Sequence, residues 1–227
     1  MSKEKVVISV GGSLLFSDNF EINYKFLSDF KKVILKYISK KQFFIFVGGG
    51  KIARLYQAGI RYLKGTKEDE DKIGIEITKV NANLLLHLFK NLAFNKIIEN
   101  PLKKIKIKDK IYIGAGWKPG FSTDYDTVLL AKNLKVSTII NLTNVDYVYD
   151  KNPKEFKDAR PFEKLSWQEY EKIIIQKWQP GLSTPFDPLA SKLAKKLKIK
   201  VVIINGSDLK RLDNFLKGKN FIGTIIE

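Results

Sequence analysis

Cysteine is absent from the 227 residues, which excludes disulfides and thiolate metal sites. Histidine occurs once, at His87. It falls inside the apolar periodicity of a predicted helix, so it reads as a packing residue, and a hydrolase triad lacks an evident base. Long apolar runs are missing too. No stretch reaches the roughly 20 residues that a helical membrane span needs. The charged N-terminus leads straight into a strand with no apolar leader segment. A cytoplasmic chain with no membrane partner is expected. Acidic residues number 24 against 41 basic ones, a formal net charge of +17. Nucleic acid is therefore weighed as a partner. Arginine is scarce, however, and lysine is spread over nearly every segment, with no dense basic block interleaved with aromatics. A solvated lysine-rich surface is the favoured reading, and no nucleic-acid partner is expected. A nucleic-acid-binding module without catalysis stays as the rival reading; it would show strongly salt-dependent affinity. High lysine and isoleucine with a single methionine also fit a heat-adapted protein. Gly-x-x-x-x-Gly-Lys-Ser/Thr is absent, as are the His-Arg-Asp and Asp-Phe-Gly pair and Gly-x-Gly-x-x-Gly after the first strand. These absences argue against P-loop enzymes, protein kinases and dinucleotide enzymes.

What is present is organised around residues 42–54. Gln42-Phe43-Phe44-Ile45-Phe46-Val47 reads as a buried strand. Gly48-Gly49-Gly50 then turns the chain, and Ile52, Leu55, Tyr56 and Gly59 follow at helical spacing. Glycines allow a sharp turn and close approach of a ligand to the main chain. A helix start attracts anions, and Lys51 and Arg54 add cations. The arrangement suits phosphate.

Strands and helices alternate along the rest of the chain. Strands are predicted at 5–10, 97–98, 111–116, 138–142, 147–149, 200–204 and 223–226. Helices are predicted at 24–38, 73–92 (with Ile77, Val80, Leu84, Leu85 and Leu88 as its stripe), 125–134, 167–175 behind a Ser166 cap, 188–197 and 209–216. Residues 64–71 read as a charged loop, 101–110 and 150–160 as irregular, and 181–187 as a flexible approach to the next helix. The pattern predicts an α/β protein with a mainly parallel sheet and helices on both faces, built as one lobed domain.

In such sheets ligands lie at the carboxyl ends of the strands. That rule gathers Gly11-Gly12-Ser13, Gly48-Gly49-Gly50-Lys51, residues 114–124, Thr143-Asn144-Val145-Asp146 and Asp187 at one rim. Several glycine turns on one rim point to several phosphates, hence to a phosphoryl donor facing its acceptor. Asp146 could hold a Mg²⁺–phosphate, orient a basic side chain, or simply bond its own turn. Asp187, before Pro188, could be no more than a helix cap.

Read together, six stretches resemble a known family. They are Val7-Ile8-Ser9-Val10-Gly11-Gly12-Ser13-Leu14, residues 47–54, residues 73–83, Gly120-Phe121-Ser122-Thr123-Asp124, residues 143–149 and Asp187-Pro188-Leu189-Ala190-Ser191-Lys192. The chain resembles the amino acid kinase fold, a three-layer sandwich, and within it the archaeal-type uridylate kinases. The resemblance implies phosphoryl transfer from Mg·ATP to UMP, giving UDP and ADP in pyrimidine nucleotide synthesis, by a homohexamer. It implies an acceptor lobe over about 1–135 and an ATP lobe over about 136–227. Carried over, Gly12, Ser13, Gly50 and Arg54 would touch ATP phosphates, and Thr143, Asn144, Tyr149 and Asn152 would hold its nucleoside end. Gly49, Asp71 and the loop Trp117, Lys118, Pro119, Gly120, Phe121, Ser122 and Thr123 would hold UMP. Asp146 and Asp187 would organise cations around the reacting phosphates. Ser9 stands where many relatives carry a lysine, and Lys51 is the proposed replacement cation. Isopentenyl phosphate is the alternative acceptor within the fold, but kinases for it place a histidine shortly after the glycine triplet, where this chain has none. Acetylglutamate and carbamate kinases have longer chains and an early lysine.

Overall fold

The computed structural model describes residues 3–153, 155–177 and 184–227. Residues 181–183 of the expected flexible approach lie outside them. The order is β1 (Glu4–Val10), α1 (Tyr24–Tyr37), β2 (Lys41–Val47), α2 (Gly50–Tyr62), α3 (Lys67–Phe89), β3 (Ile111–Gly114), α4 (Thr123–Leu134), β4 (Thr138–Thr143), β5 (Val148–Tyr149), β6 (Pro161–Phe162), β7 (Lys164–Leu165), α5 (Trp167–Lys177), α6 (Pro188–Lys196), β8 (Lys200–Asn205), α7 (Leu209–Leu216) and β9 (Thr224–Ile226). Seven strands form one sheet in the order β3-β2-β1-β4-β8-β9-β7. Its five left-hand strands are parallel.

The apolar runs of β1 and β2 alternate faces, as strand geometry requires. Val6, Ile8, Val10, Phe43, Ile45 and Val47 pack with α1, α3 and α7, through Phe30, Ile34, Leu85, Phe89 and Leu212. Val7, Phe44 and Phe46 pack the other way with α4, α5 and α6, through Val128, Leu130, Tyr170, Ala190 and Ala194. Both faces of the central strands are thus dry, which is why these strands read as continuous apolar runs rather than as alternation.

Several expectations are corrected. The charged stretch is a loop only to Thr66. Lys67 onward is the first turn of α3, because Thr66 and Asp69 form a capping box and Glu68, Asp69 and Glu70 suit the positive end of the helix. The buried face of α3 is Gly74, Thr78, Asn81, Ala82, Leu85 and Phe89. Val80 is exposed. His87 is exposed as well and reaches only the Asn83 carbonyl, so it is a surface residue and not a packing one. The chain at Ile98 makes a single bridge to Gly114 and not a strand. β5 is shorter than expected, starting at Val148, and pairs with β6 in a separate two-stranded sheet. β6 and β7 were not foreseen, and β9 runs antiparallel to β8. α4 begins two residues earlier than expected, with the Ser122 hydroxyl accepting the Tyr125 N–H at 3.1 Å. Ser166 caps α5 as expected, accepting the Glu169 N–H at 3.2 Å.

Candidate active site

Strand register decides which turns meet. Val10 lies opposite Val47 on one side and Leu142 on the other. Leu142 lies opposite Ile204, and Phe46 opposite Gly114. Gly11, Gly48, Thr143, Asn205 and the chain after Gly114 therefore leave the sheet at one level and one rim. The glycine turns are pressed together there. A Cβ on Gly12 would stand 2.2 Å from the Gly48 carbonyl oxygen and 2.5 Å from the Gly50 nitrogen. Gly50 has φ +63° and would clash with Gly12 and Ser13 main chain at 2.3–2.5 Å. Only glycine permits both this conformation and this contact. Gly49 precedes α2 and offers no side chain to cap it, so the positive end of α2 faces the junction uncapped by its own N-cap residue.

α3 braces the junction from beside it. Asn81 donates to the Gly48 carbonyl at 2.8 Å, and Thr78 Oγ1 accepts the Gly116 N–H at 2.8 Å. The buried face of α3 is partly small and polar because it holds backbone turns rather than core. Asp71, on the first turns of α3, accepts the Gly120 N–H at 2.8 Å, which ties α3 to the loop after β3. In that loop Trp117, Phe121 and Tyr125 stack in sequence, with ring centres 5.8 and 4.5 Å apart. The Lys118 ammonium sits 4.3 Å from the Trp117 ring and 5.0 Å from Phe121. Thr123 Oγ1 lies 3.9 Å from where a Gly48 Cβ would be, so Thr123 stands at the glycine junction. Pro119 and Gly120 are exposed at the loop's tip.

Asp124 was not singled out from sequence, yet it links three elements. Its Oδ1 accepts the Ser9 hydroxyl of β1 at 2.8 Å, and its Oδ2 accepts the Asp187 N–H at 3.2 Å. Burial pushes its carboxyl up to about 6, against the opposing pull of the Ser9 bond. Asp187 caps α6, with Oδ1 accepting the Ala190 N–H at 2.8 Å. Ser9 thus supplies a hydroxyl to a carboxylate where an ammonium was missed. Nothing in the spacing of residues 9 and 124 announces this; only the β1–α4 contact creates it.

Asp146 accepts from Asn205 Nδ2 and Arg211 Nη1, both at 2.7 Å and both on Oδ1. The Asn205 bond, with Arg211 beside it, holds its carboxyl below the usual range. Asn205 ends β8 directly opposite Thr143, so Asn205-Gly206-Ser207 forms a further rim turn that the glycine count alone does not single out. Thr143 and Asn144 stand together on the rim, with Thr143 Oγ1 3.5 Å from Asn144 Oδ1. Tyr149 meets Tyr147 edge-on at 6.2 Å, and Asn152 bonds Glu155 at 2.6 Å. Lys51 is paired with Asp18, and Arg54 is exposed on α2. Neither is held by Asp146 or Asp187.

Asp126 lies beneath the aromatic loop, fully buried. Its Oδ2 accepts the Trp117 N–H at 2.9 Å, while Oδ1 has no partner among the described residues. Burial pushes its carboxyl up to about 7, opposed by the Trp117 bond and by Lys118. The folded value thus exceeds the ordinary 3.8, and the fold binds the extra proton between about pH 4 and pH 7. Stability from this group is present at low pH, falls as pH rises through that window, and stays low above it. Asp126→Asn should therefore exceed the parent in stability at pH 8, by on the order of 1–2 kcal/mol, with the gap closing toward pH 4. Urea unfolding at both pH values checks this. A gap that does not change with pH would contradict it.

Comparison with known proteins agrees with this architecture. Residues 4–205 match the model of the amino acid kinase family. The uridylate kinase of Thermoplasma volcanium is 35% identical over 229 residues, covering 99% of this chain and 98% of that protein. That of Archaeoglobus fulgidus is 34% identical over 226 residues, covering 98% and 99%. The crystal structure of uridylate kinase from Archaeoglobus fulgidus superposes with a TM-score of 0.82 at 30% identity, over 98% of this chain and all of that one. UMP kinase from Ureaplasma parvum shares the fold, with a TM-score of 0.82 at 23% identity over the full length of both chains. With the glycine turns on one rim and a family match over most of its length, the chain belongs to the amino acid kinase family.

Proposed function

We propose that this protein is a uridylate kinase, transferring the γ-phosphoryl group of ATP to UMP. The observation that carries the reading is the Gly12–Gly50 contact, which places two main-chain turns side by side where two phosphorylated ligands can meet. The acceptor is itself a phosphate, so no general base is required. The work lies in aligning two anions and neutralising the charge spread over the moving group. The turns at Gly12, Ser13 and Gly50 serve the donor phosphates, together with Arg54 and Lys51. Thr143, Asn144, Tyr149 and Asn152 take the nucleoside end. Gly49, Asp71 and residues 117–123 take UMP. Asp146, Asp187 and Asp124 keep the surrounding groups in place. In this reading residues 1–135 form the acceptor lobe and 136–227 the donor lobe.

Among the described residues no three metal-ligating side chains cluster. Mg²⁺ would arrive on ATP, bound through the phosphates and at most one or two carboxylates. Asp146 and Asp187 would be the carboxylates that assist. Mg²⁺ would supply charge neutralisation at the donor phosphates.

A homohexamer belongs to the proposal. Leu55, Tyr56 and Tyr62 of α2 and Leu63 just beyond it lie exposed along one stripe, an apolar face of the kind that association covers. A cytoplasmic setting follows from the nucleotide substrates. Among the described residues no helix is long and apolar enough to cross a membrane.

The test is ADP release measured across UMP, CMP, dUMP, isopentenyl phosphate and acetylglutamate. UMP should give the highest kcat/KM. A flat signal with UMP and turnover of isopentenyl phosphate would overturn the acceptor assignment and keep the family.

A further inference from the structure

Ser9 stands in place of an early lysine, and the cations assigned to the donor phosphates are Lys51, which pairs with Asp18, and the exposed Arg54. Arg211 is one of only four arginines in the chain, and it stands on the first turn of α7, directly after the Asn205 rim turn. Its side chain is 16% exposed. Nη1 bonds Asp146 at 2.7 Å. Nε is buried with no hydrogen-bond partner among the described residues, 3.6 Å from the Asp208 carboxylate. Asp208 in turn caps α7 by accepting the Lys210 N–H at 3.1 Å. The guanidinium therefore lies between two carboxylates, one on its own helix and one on the loop after β4.

That loop is tied to its neighbours at both ends, with the Gly206 N–H on the Thr143 carbonyl at 2.8 Å and β5 paired with β6. β5 is tied down where Val148 N–H donates to Thr224 Oγ1 of β9 at 2.9 Å. Between Thr143 and Val148, Asp146 is held by Asn205 and Arg211. Both bonds fall on Oδ1. The planar fork of arginine can face Asp146 and Asp208 at once, which a lysine ammonium cannot do with the same geometry.

We propose that Arg211 is a positioning residue for the phosphoryl donor: by holding Asp146 against Asn205 it sets the shape of the loop from Thr143 to Tyr149 that receives ATP. The inference rests on the uridylate kinase reading and adds to it a group on α7, outside every stretch that carried the family resemblance.

The experiment compares the parent, Arg211→Met, Arg211→Lys, Asp146→Asn and the double variant Arg211→Met/Asp146→Asn. Steady-state kinetics gives KM for ATP and for UMP, and calorimetric titration gives Mg·ATP affinity. Arg211→Met should raise KM for ATP about fivefold or more and weaken Mg·ATP binding alike, with KM for UMP unchanged. Arg211→Lys should recover part of the loss. The double variant should bind Mg·ATP no more weakly than Asp146→Asn alone, because the two residues act as one unit. An unchanged KM for ATP in Arg211→Met, equal rises in both KM values, or additive losses in the double variant would overturn the proposal. A parent enzyme inactive with UMP would instead overturn the functional reading on which it rests; Mg·ATP titration of the same variants still decides the role of Arg211 there. Should Arg211→Met fail to fold, Arg211→Lys and Arg211→Gln carry the same comparison.

Discussion

Gly12→Ala should abolish phosphoryl transfer and cost stability on the order of 3 kcal/mol. The added methyl would sit 2.2 Å from the Gly48 oxygen, 2.6 Å from its carbonyl carbon and 2.5 Å from the Gly50 nitrogen. These are main-chain atoms, so no rotamer change relieves the clash. The two turns must part. The Gly48 carbonyl is also bonded by Asn81 from α3, and Gly48 N–H bonds the Val10 carbonyl at 2.9 Å; movement there disturbs β1 and α3 together. Parting the turns pulls apart the donor site assigned to Gly12, Ser13 and Gly50 and shifts it against Gly49, and a displacement of about 1 Å is enough to cost roughly 100-fold in rate. Two mechanisms thus act on the same position. Gly59→Ala is the control: a Cβ there meets nothing within 4 Å, and a helix interior favours alanine over glycine by up to about 1 kcal/mol. Thermal unfolding and kcat should fall steeply in the first variant, while the second keeps kcat and gains slightly in stability. Near-parental turnover in Gly12→Ala would mean that the turns do not form the reacting junction.

The second large effect is expected at Asp146. Asp146→Asn removes the charge that Arg211 and Asn205 jointly hold. An asparagine can still accept one of the two bonds through its carbonyl, so the fold survives. The ionic hold on Arg211 does not survive, and neither does the carboxylate proposed to assist at the donor phosphates. Turnover should fall by at least about 100-fold, the scale seen when one preorganised charge-stabilising group is lost, with little change in the midpoint of unfolding. Undiminished turnover would reject the assigned role and with it the positioning argument for Arg211.

Much of this molecule is legible in its sequence for a physical reason. β1, β2, β4 and β8 are buried on both faces, so burial forces uninterrupted apolar runs. The rim follows from those strands being parallel, because their carboxyl ends then share one level. Helices whose buried face is ordinary core, such as α1 with Phe26, Phe30 and Ile34, are equally readable. α3 is misread because its inner face serves backbone turns: Thr78 and Asn81 point inward while Val80 points out. Its start is misread because an acidic run looks solvated, whereas Thr66 makes it the first turn of a helix. The short strands β6 and β7 carry too few residues for periodicity to register. At the site, glycine turns announce themselves locally. The contacts Ser9–Asp124, Asn205–Asp146 and Arg211–Asp146 join residues 115, 59 and 65 positions apart, and no local pattern encodes such pairs. The pairing of Lys51 with Asp18 joins residues 33 positions apart, and adjacency of Lys51 to the glycine triplet does not reveal it.

The central claim is that one rim of the sheet holds two phosphorylated ligands against each other. A crystal structure with UMP and a non-hydrolysable Mg·ATP analogue tests it most directly. The account predicts the terminal phosphate of the donor at the main chain of Gly12, Ser13 and Gly50, with the UMP phosphate beside it at Gly49. Nucleotides found at the amino ends of the strands, or a donor bound away from the Gly12–Gly50 contact, would contradict it.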